Sequence, residues 1–158
     1  MTAAVTIRLA QPGEAEALTA LAIGSKAHWV YDAAFMARAE PDLTVDPGAI
    51  NAGLVLVAEE VDGVAGFAGL ERTGPGVFDV SGFFVALDRI GTGVGRVLFQ
   101  AMVSRARQLG TADEPARCLT ILSDPKAEHL YLKMGARRIG EDSVAATGRT
   151  LPLLAYAL

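Results

Sequence analysis

The chain has 158 residues, 51% hydrophobic and 20% charged, with a formal net charge of −4. That length suits about one domain with a sizeable core, and the apolar content excludes a wholly disordered chain. The acidic balance argues against a general nucleic-acid binder, whose binding face is basic. Cys118 is the single cysteine, so no intramolecular disulfide and no cysteine-based zinc site can form. His28 and His129 lie far apart in sequence, and no metal site is expected. The first residues lack the basic-then-apolar order of a secretory signal, and no apolar run approaches the roughly 18 residues of a membrane span. A soluble, cytoplasmic protein with one domain over residues 1–158 is the expectation.

Taken in chain order, Thr6–Ala10 reads as a short strand stopped by Gln11-Pro12-Gly13. Glu14–Lys26 reads as a helix, with Ala17, Leu18, Leu21 and Ala22 on one apolar face. A second helix is predicted over His28–Ala39, ended by Glu40-Pro41 because the residue before proline disfavours the α region. Asp46-Pro47 has the form of a cap followed by proline in the first helical position, opening a short turn through Ala52. Leu54–Glu60 and Val64–Arg72 are apolar runs joined by Val61-Asp62-Gly63, a strong hairpin signal. Thr73-Gly74-Pro75-Gly76 then turns the chain into a strand over Val77–Val85. Gly93–Leu109 is a long amphipathic helix, with Val94, Val97, Leu98, Ala101, Met102 and Arg105 in its pattern. A strand at Arg117–Leu122, a short helix at Asp124–Met134 and closing strands at Arg137–Gly140 and Leu151–Leu158 complete the chain. The order β-α-α-β-β-β-α-β-α-β-β implies an α/β protein with a mixed central sheet flanked by helices.

The most informative stretch joins the strand ending at Val85 to the helix starting near Gly93. Glycines at 91, 93 and 95 let backbone N–H groups approach a phosphate, and the following helix adds its unpaired N–H groups and positive dipole end. Arg89, Arg96, Arg105 and Arg107 make this stretch basic within an acidic chain, as a polyphosphate would favour. A tight turn into a helix is the plainer reading of the same glycines. A P-loop is excluded by the missing Gly-Lys-Ser/Thr ending. A dinucleotide fold is disfavoured because the loop follows several strands instead of opening the first β-α unit.

Two segments carry a family resemblance. Ile90-Gly91-Thr92-Gly93-Val94-Gly95 lies on the pattern Gln/Arg-x-x-Gly-x-Gly/Ala, with Ile90 at its first position and Arg89 one residue earlier. Asp124-Pro125-Lys126-Ala127-Glu128-His129-Leu130-Tyr131-Leu132-Lys133-Met134-Gly135 is similar to Asn-x-x-Ala-x-x-x-Tyr-x-x-x-Gly, with Asp124 in place of Asn. With both in matching elements, the chain resembles the GNAT family, the GCN5-related N-acetyltransferases, over nearly its whole length.

The resemblance implies acetyl-CoA as co-substrate, no metal, and direct acetyl transfer to a primary amine of a small molecule or peptide. It implies that the amides of Ile90, Gly91, Thr92, Gly93, Val94, Gly95 and Arg96 hold the pyrophosphate. Backbone groups of Phe83, Phe84 and Val85 would face the pantetheine arm, with Asp124, Ala127 and Tyr131 in the second cofactor segment. Tyr131 matches the family's general acid, since a phenol is a hydrogen-bond donor at neutral pH; its plainer reading is a core tyrosine. Strand alternation puts Asp79, Ser81 and Phe83 on one face, and Asp79 falls where many members carry a catalytic glutamate. Its plainer reading is a polar residue near a hairpin, and His28 is the other candidate base. His28, Trp29 and Tyr31 lie where the family's variable helices line the acceptor site; helix packing is their plainer role. A non-catalytic acyl-CoA-binding or regulatory module on the same fold is the alternative function, and a nucleotide-binding regulatory domain a further one. Homodimerisation is common in the family, with neither nucleic acid nor membrane among the implied partners.

Overall fold

The structure is a computed structural model and describes residues 4–28 and 31–158. Its elements are β1 (Thr6–Leu9), α1 (Ala15–Ala27), α2 (Ala33–Leu43), α3 (Pro47–Asn51), β2 (Val55–Glu60), β3 (Gly63–Gly74) and β4 (Val77–Val85). They continue with α4 (Val94–Leu109), β5 (Cys118–Leu122), α5 (Glu128–Lys133), β6 (Arg137–Val144) and β7 (Arg149–Ala157). The strands form one seven-stranded sheet in the order β1-β2-β3-β4-β5-β7-β6. The β4–β5 pair is parallel, while β1–β2, β2–β3, β5–β7 and β6–β7 are antiparallel. The mixed α/β sheet flanked by helices is the architecture anticipated from the element order.

Local chemistry explains most boundaries. Asp46 caps α3 by accepting the Gly48 N–H at 2.9 Å, with Pro47 in the first turn. The β2–β3 hairpin closes with Glu60 opposite Gly63, leaving Val61-Asp62 as its two-residue tip. Three elements need correction: α5 begins at Glu128 and not Asp124, β6 runs past Gly140 to Val144, and the second helix moves at both ends. The second helix starts at Ala33, where Asp32 accepts the Phe35 N–H at 2.7 Å, and it runs through Pro41 to Leu43. Pro41 lies in the last turn, so it removes only one late hydrogen bond. The Thr44 hydroxyl then donates to the Glu40 carbonyl at 2.9 Å and helps to end the helix. His28 closes α1 instead of opening α2.

The chain divides into two compact units, one of residues 1–70 with Ser81–Met102, the other of Glu71–Val80 with Val103–Leu158. In the first, Leu18 and Ala22 of α1, Ala39 and Leu43 of α2, and Ile50 of α3 cluster with Val55, Val57 and Phe67 of the sheet. Arg8 ties this unit together, bonding Glu14 at 2.8 Å and Glu59 at 3.0 Å. In the second, Phe78, Leu119, Ile121, Tyr131 and Leu154 are buried. Along α4 the buried positions are Val94, Leu98, Phe99, Met102, Val103 and Ala106. The apolar stripe thus takes in Phe99 and Val103, while Val97 is exposed and Arg105 half-buried.

Gly76 adopts φ +71°, and a Cβ there would collide with the Pro115 carbonyl oxygen of the same unit. Gly24, inside α1, has open space where a Cβ would go. Gly76→Ala should therefore lower stability by about 1–3 kcal/mol, through a clash and a left-handed backbone. Gly24→Ala should raise it by up to about 1 kcal/mol through helix propensity. Thermal denaturation of both variants checks the pair: Tm should move in opposite directions.

Candidate active site

After β4, the backbone makes a single 3-10 turn at Leu87–Arg89, held by the Arg89 N–H donating to the Ala86 carbonyl at 2.9 Å. The Ala86 N–H donates to the Ala65 carbonyl of β3 at 2.8 Å, fixing the start of the loop. Gly91 and Gly93 then take φ of +82° and +95°, a backbone that a side-chain-bearing residue adopts only with strain. Thr92 bonds back to the Arg89 carbonyl through its hydroxyl at 2.6 Å and its N–H at 3.3 Å. Among the described residues, the amides of Gly91, Gly93, Val94 and Gly95 make no backbone hydrogen bond outside the helix. Ile90, Gly91, Thr92, Gly93 and Arg96 are exposed, Gly95 is half-buried and Val94 is in the core. The loop therefore presents free amides at the start of a 16-residue helix.

Phe83 and Phe84 use their side chains for packing. The Phe84 ring lies 5.7 Å from Phe67 and the Phe83 ring 6.2 Å from Phe99 of α4. Any contact that Phe83, Phe84 and Val85 make with a cofactor arm falls to their backbone. The parallel ladder has three pairs, Val77, Phe78 and Asp79 opposite Cys118, Leu119 and Thr120. At its last rung Asp79 is half-buried, and its Oδ1 accepts the Thr120 hydroxyl at 2.7 Å. Burial holds the Asp79 carboxyl above its usual range, with the charge of Glu71 adding to the rise and the Thr120 bond opposing it. Thr120 escaped the sequence reading. Only the parallel register brings it beside Asp79, and no local pattern encodes that register.

Asp124 organises the turn before α5. Its Oδ1 accepts the Lys126 N–H at 2.9 Å, its carbonyl accepts the Ala127 N–H at 2.9 Å, and Arg149 lies 3.7 Å from Oδ2. Ala127 is the N-cap of α5 and is half-buried. Tyr131 is buried at 7% exposure, and desolvation, then the charge of Asp124, pushes its phenol well above the usual value. The hydroxyl therefore stays protonated at neutral pH and keeps its capacity to donate.

In the proposed acceptor segment, His28 is exposed at the end of α1. Tyr31 stacks on Phe35 of α2 at 4.3 Å, with the Lys26 ammonium 5.3 Å from the Tyr31 ring centre. That cation–π arrangement gives Tyr31 a packing role between α1 and α2. Trp29 lies outside the described residues.

Residues 35–153 match the family model of the acetyltransferase (GNAT) domain. The chain belongs to the GNAT acetyltransferase family. Among solved structures, a GCN5-related N-acetyltransferase from Rhodopseudomonas palustris is 22% identical, with 100% of this chain and 97% of that one covered and a TM-score of 0.71. PaiA N-acetyltransferase from Thermoplasma acidophilum, solved with coenzyme A, is 12% identical over 98% and 99% of the two chains, with a TM-score of 0.75. The ribosomal-protein-S18-alanine N-acetyltransferase of Escherichia coli is 14% identical over 98% and 94%, with a TM-score of 0.65. These likenesses establish the GNAT fold. No curated protein matches the sequence. Among the described residues, no helix is long and apolar enough to cross a membrane.

The raised carboxyl of Asp79 has a consequence for stability. Its native form holds a proton more tightly than the unfolded chain does. Its contribution is thus fully present below the unfolded carboxylate pKa and is lost as pH rises through the native value. Asp79→Asn, which keeps an acceptor for Thr120, should raise Tm at pH 7. That gain should shrink as pH falls through the raised native value and be gone below about 4. A Tm-versus-pH series for the two proteins checks the sign.

Proposed function

We propose that this protein is an acetyl-CoA-dependent N-acetyltransferase that moves acetyl directly to a primary amine of a small molecule or peptide. One observation carries the reading: Gly91 and Gly93, in left-handed backbone, present unpaired amides at the start of α4, within a chain of the GNAT family. Amides of the Ile90–Arg96 loop bind the pyrophosphate, those of Gly91, Gly93 and Gly95 foremost, while the Thr92 N–H holds the turn through the Arg89 carbonyl; the helix dipole adds to the attraction. Backbone groups of Phe83, Phe84 and Val85 hold the pantetheine arm and polarise the thioester carbonyl. In this reading Asp124 shapes the second cofactor segment by fixing the turn that carries Ala127 and Tyr131.

An amine acceptor arrives mostly protonated at neutral pH, so attack requires a proton acceptor. Asp79 takes that proton, directly or through water, and its raised pKa makes it a better base than an ordinary aspartate. The amine nitrogen then forms its bond to the thioester carbon as the carbon–sulfur bond breaks. Tyr131, a phenol that burial keeps protonated, gives its proton to the leaving thiolate, and the second proton shed by the nitrogen as it becomes an amide restores the phenol. The acceptor segment comprises His28, Trp29 and Tyr31. The protein acts in the cytoplasm, as a homodimer, without a metal.

CoA at a hundred times its Kd should stabilise the protein by about 2.7 kcal/mol, whereas pantetheine should do little. Gly93→Val places a β-branched residue at φ +95°, and its Tm should respond far less to CoA. Equal responses would remove the loop from the site. Tyr131→Phe keeps the ring and should retain CoA binding while losing about 10²–10⁴-fold in kcat. Unchanged turnover with the best acceptor of an amine panel would exclude Tyr131 as the acid.

A further inference from the structure

Arg89 stands beside the glycine loop, and each nitrogen of its guanidinium already has a carboxylate or carbonyl. Nε donates to Glu60 Oε2 at 3.0 Å, Nη2 to Asp62 Oδ2 at 2.6 Å, and Nη1 to Asp88 Oδ2 at 3.2 Å and the Asp88 carbonyl at 3.4 Å. Glu60 ends β2 with its side chain only 6% exposed, and Asp62 sits at the tip of the β2–β3 hairpin. The main chain of Arg89 faces the other way in the network. Its carbonyl accepts both the hydroxyl and the N–H of Thr92, between the two left-handed glycines.

We propose that Arg89 is a positioning residue that clamps the glycine loop to the β2–β3 hairpin, and is not itself a phosphate ligand. This rests on the reading of the loop as a pyrophosphate site. Two glycines give the loop more conformational freedom than other residues would, so binding an anion there carries an ordering cost. Fixing the loop beforehand removes part of that cost. Arg89 connects a nearly buried carboxylate on the sheet to the turn that holds the free amides. Charge points the same way: three carboxylates surround one guanidinium, which leaves Arg89 no excess charge to offer a phosphate. Its loss would leave Glu60 buried and unpaired, a costly state.

A double-mutant cycle on CoA affinity, read by calorimetry, separates clamp from ligand. With the clamp, Glu60→Gln and Arg89→Ala each weaken CoA about tenfold, near 1.4 kcal/mol. The double variant then binds no worse than Arg89→Ala alone, because the unpaired carboxylate is gone. With a direct phosphate ligand, Glu60→Gln binds CoA as well as wild type or better. Arg89→Ala then costs the same in both backgrounds, which overturns the proposal. Amide hydrogen exchange without CoA at Arg89 and Thr92, whose N–H groups donate to the Ala86 and Arg89 carbonyls, supplies the second readout. It should be faster in Glu60→Gln, and in the milder surface variant Asp62→Asn, with the rest of the chain unchanged. If wild type binds no CoA, the pyrophosphate reading fails by itself. Exchange still decides the clamp: equal protection in wild type and Glu60→Gln contradicts it.

Discussion

The left-handed backbone at Gly91 and Gly93 is the constraint from which the candidate site follows. It turns the chain out of β4 and into α4 while leaving several amides without backbone partners. A residue with a Cβ could fill the open space there, but it would strain the backbone in doing so. The amides of Gly93, Val94 and Gly95 are among those that any α-helix leaves unsatisfied at its start, and Gly91 adds one ahead of the helix. What the sequence adds is the absence of side chains that would cover them. In the proposed reading, anion binding would come from the backbone, which is how an acidic chain could present a phosphate site.

Polar groups elsewhere are held in states that cost stability. Asp79 is kept in a half-buried place that disfavours its charge, with one hydroxyl from Thr120 to offset part of the penalty. Tyr131 is buried beside a carboxylate, a setting that opposes its ionisation. In both groups burial favours the protonated form. Environments that push titratable groups from their ordinary values are characteristic of functional sites, although ion-pair networks do the same. Here the shifts arise mainly from burial, not from an ion pair.

Much of this was legible in the sequence because the signals are local. Asp46-Pro47, Asp62-Gly63 and Pro75-Gly76 each encode their own turn, and β4 has the bounds that its apolar run predicted. The glycine spacing and the Asp124–Gly135 segment carry the family resemblance by themselves. The readings that failed or fell short depended on tertiary context. Pro41 was read as a stop, yet in the last turn of α2 it costs little, and Thr44 satisfies a late carbonyl. Arg89 belongs by sequence to a basic stretch, and only the structure shows that two of its partners, Glu60 and Asp62, come from a hairpin 29 and 27 residues away. Thr120 became visible only through strand register. The packing of Tyr31 on Phe35 likewise shows only in the structure and leaves its place in the acceptor segment untested.

The central claim is that backbone amides of the loop between β4 and α4 receive a pyrophosphate. Amide chemical shifts measured during titration test it residue by residue. Adding CoA should move the N–H resonances of Gly91, Gly93 and Gly95 strongly, and adding pantetheine, which lacks the pyrophosphate, should leave them in place. If CoA binds while those three resonances stay where they were, the phosphate lies elsewhere and the account is wrong.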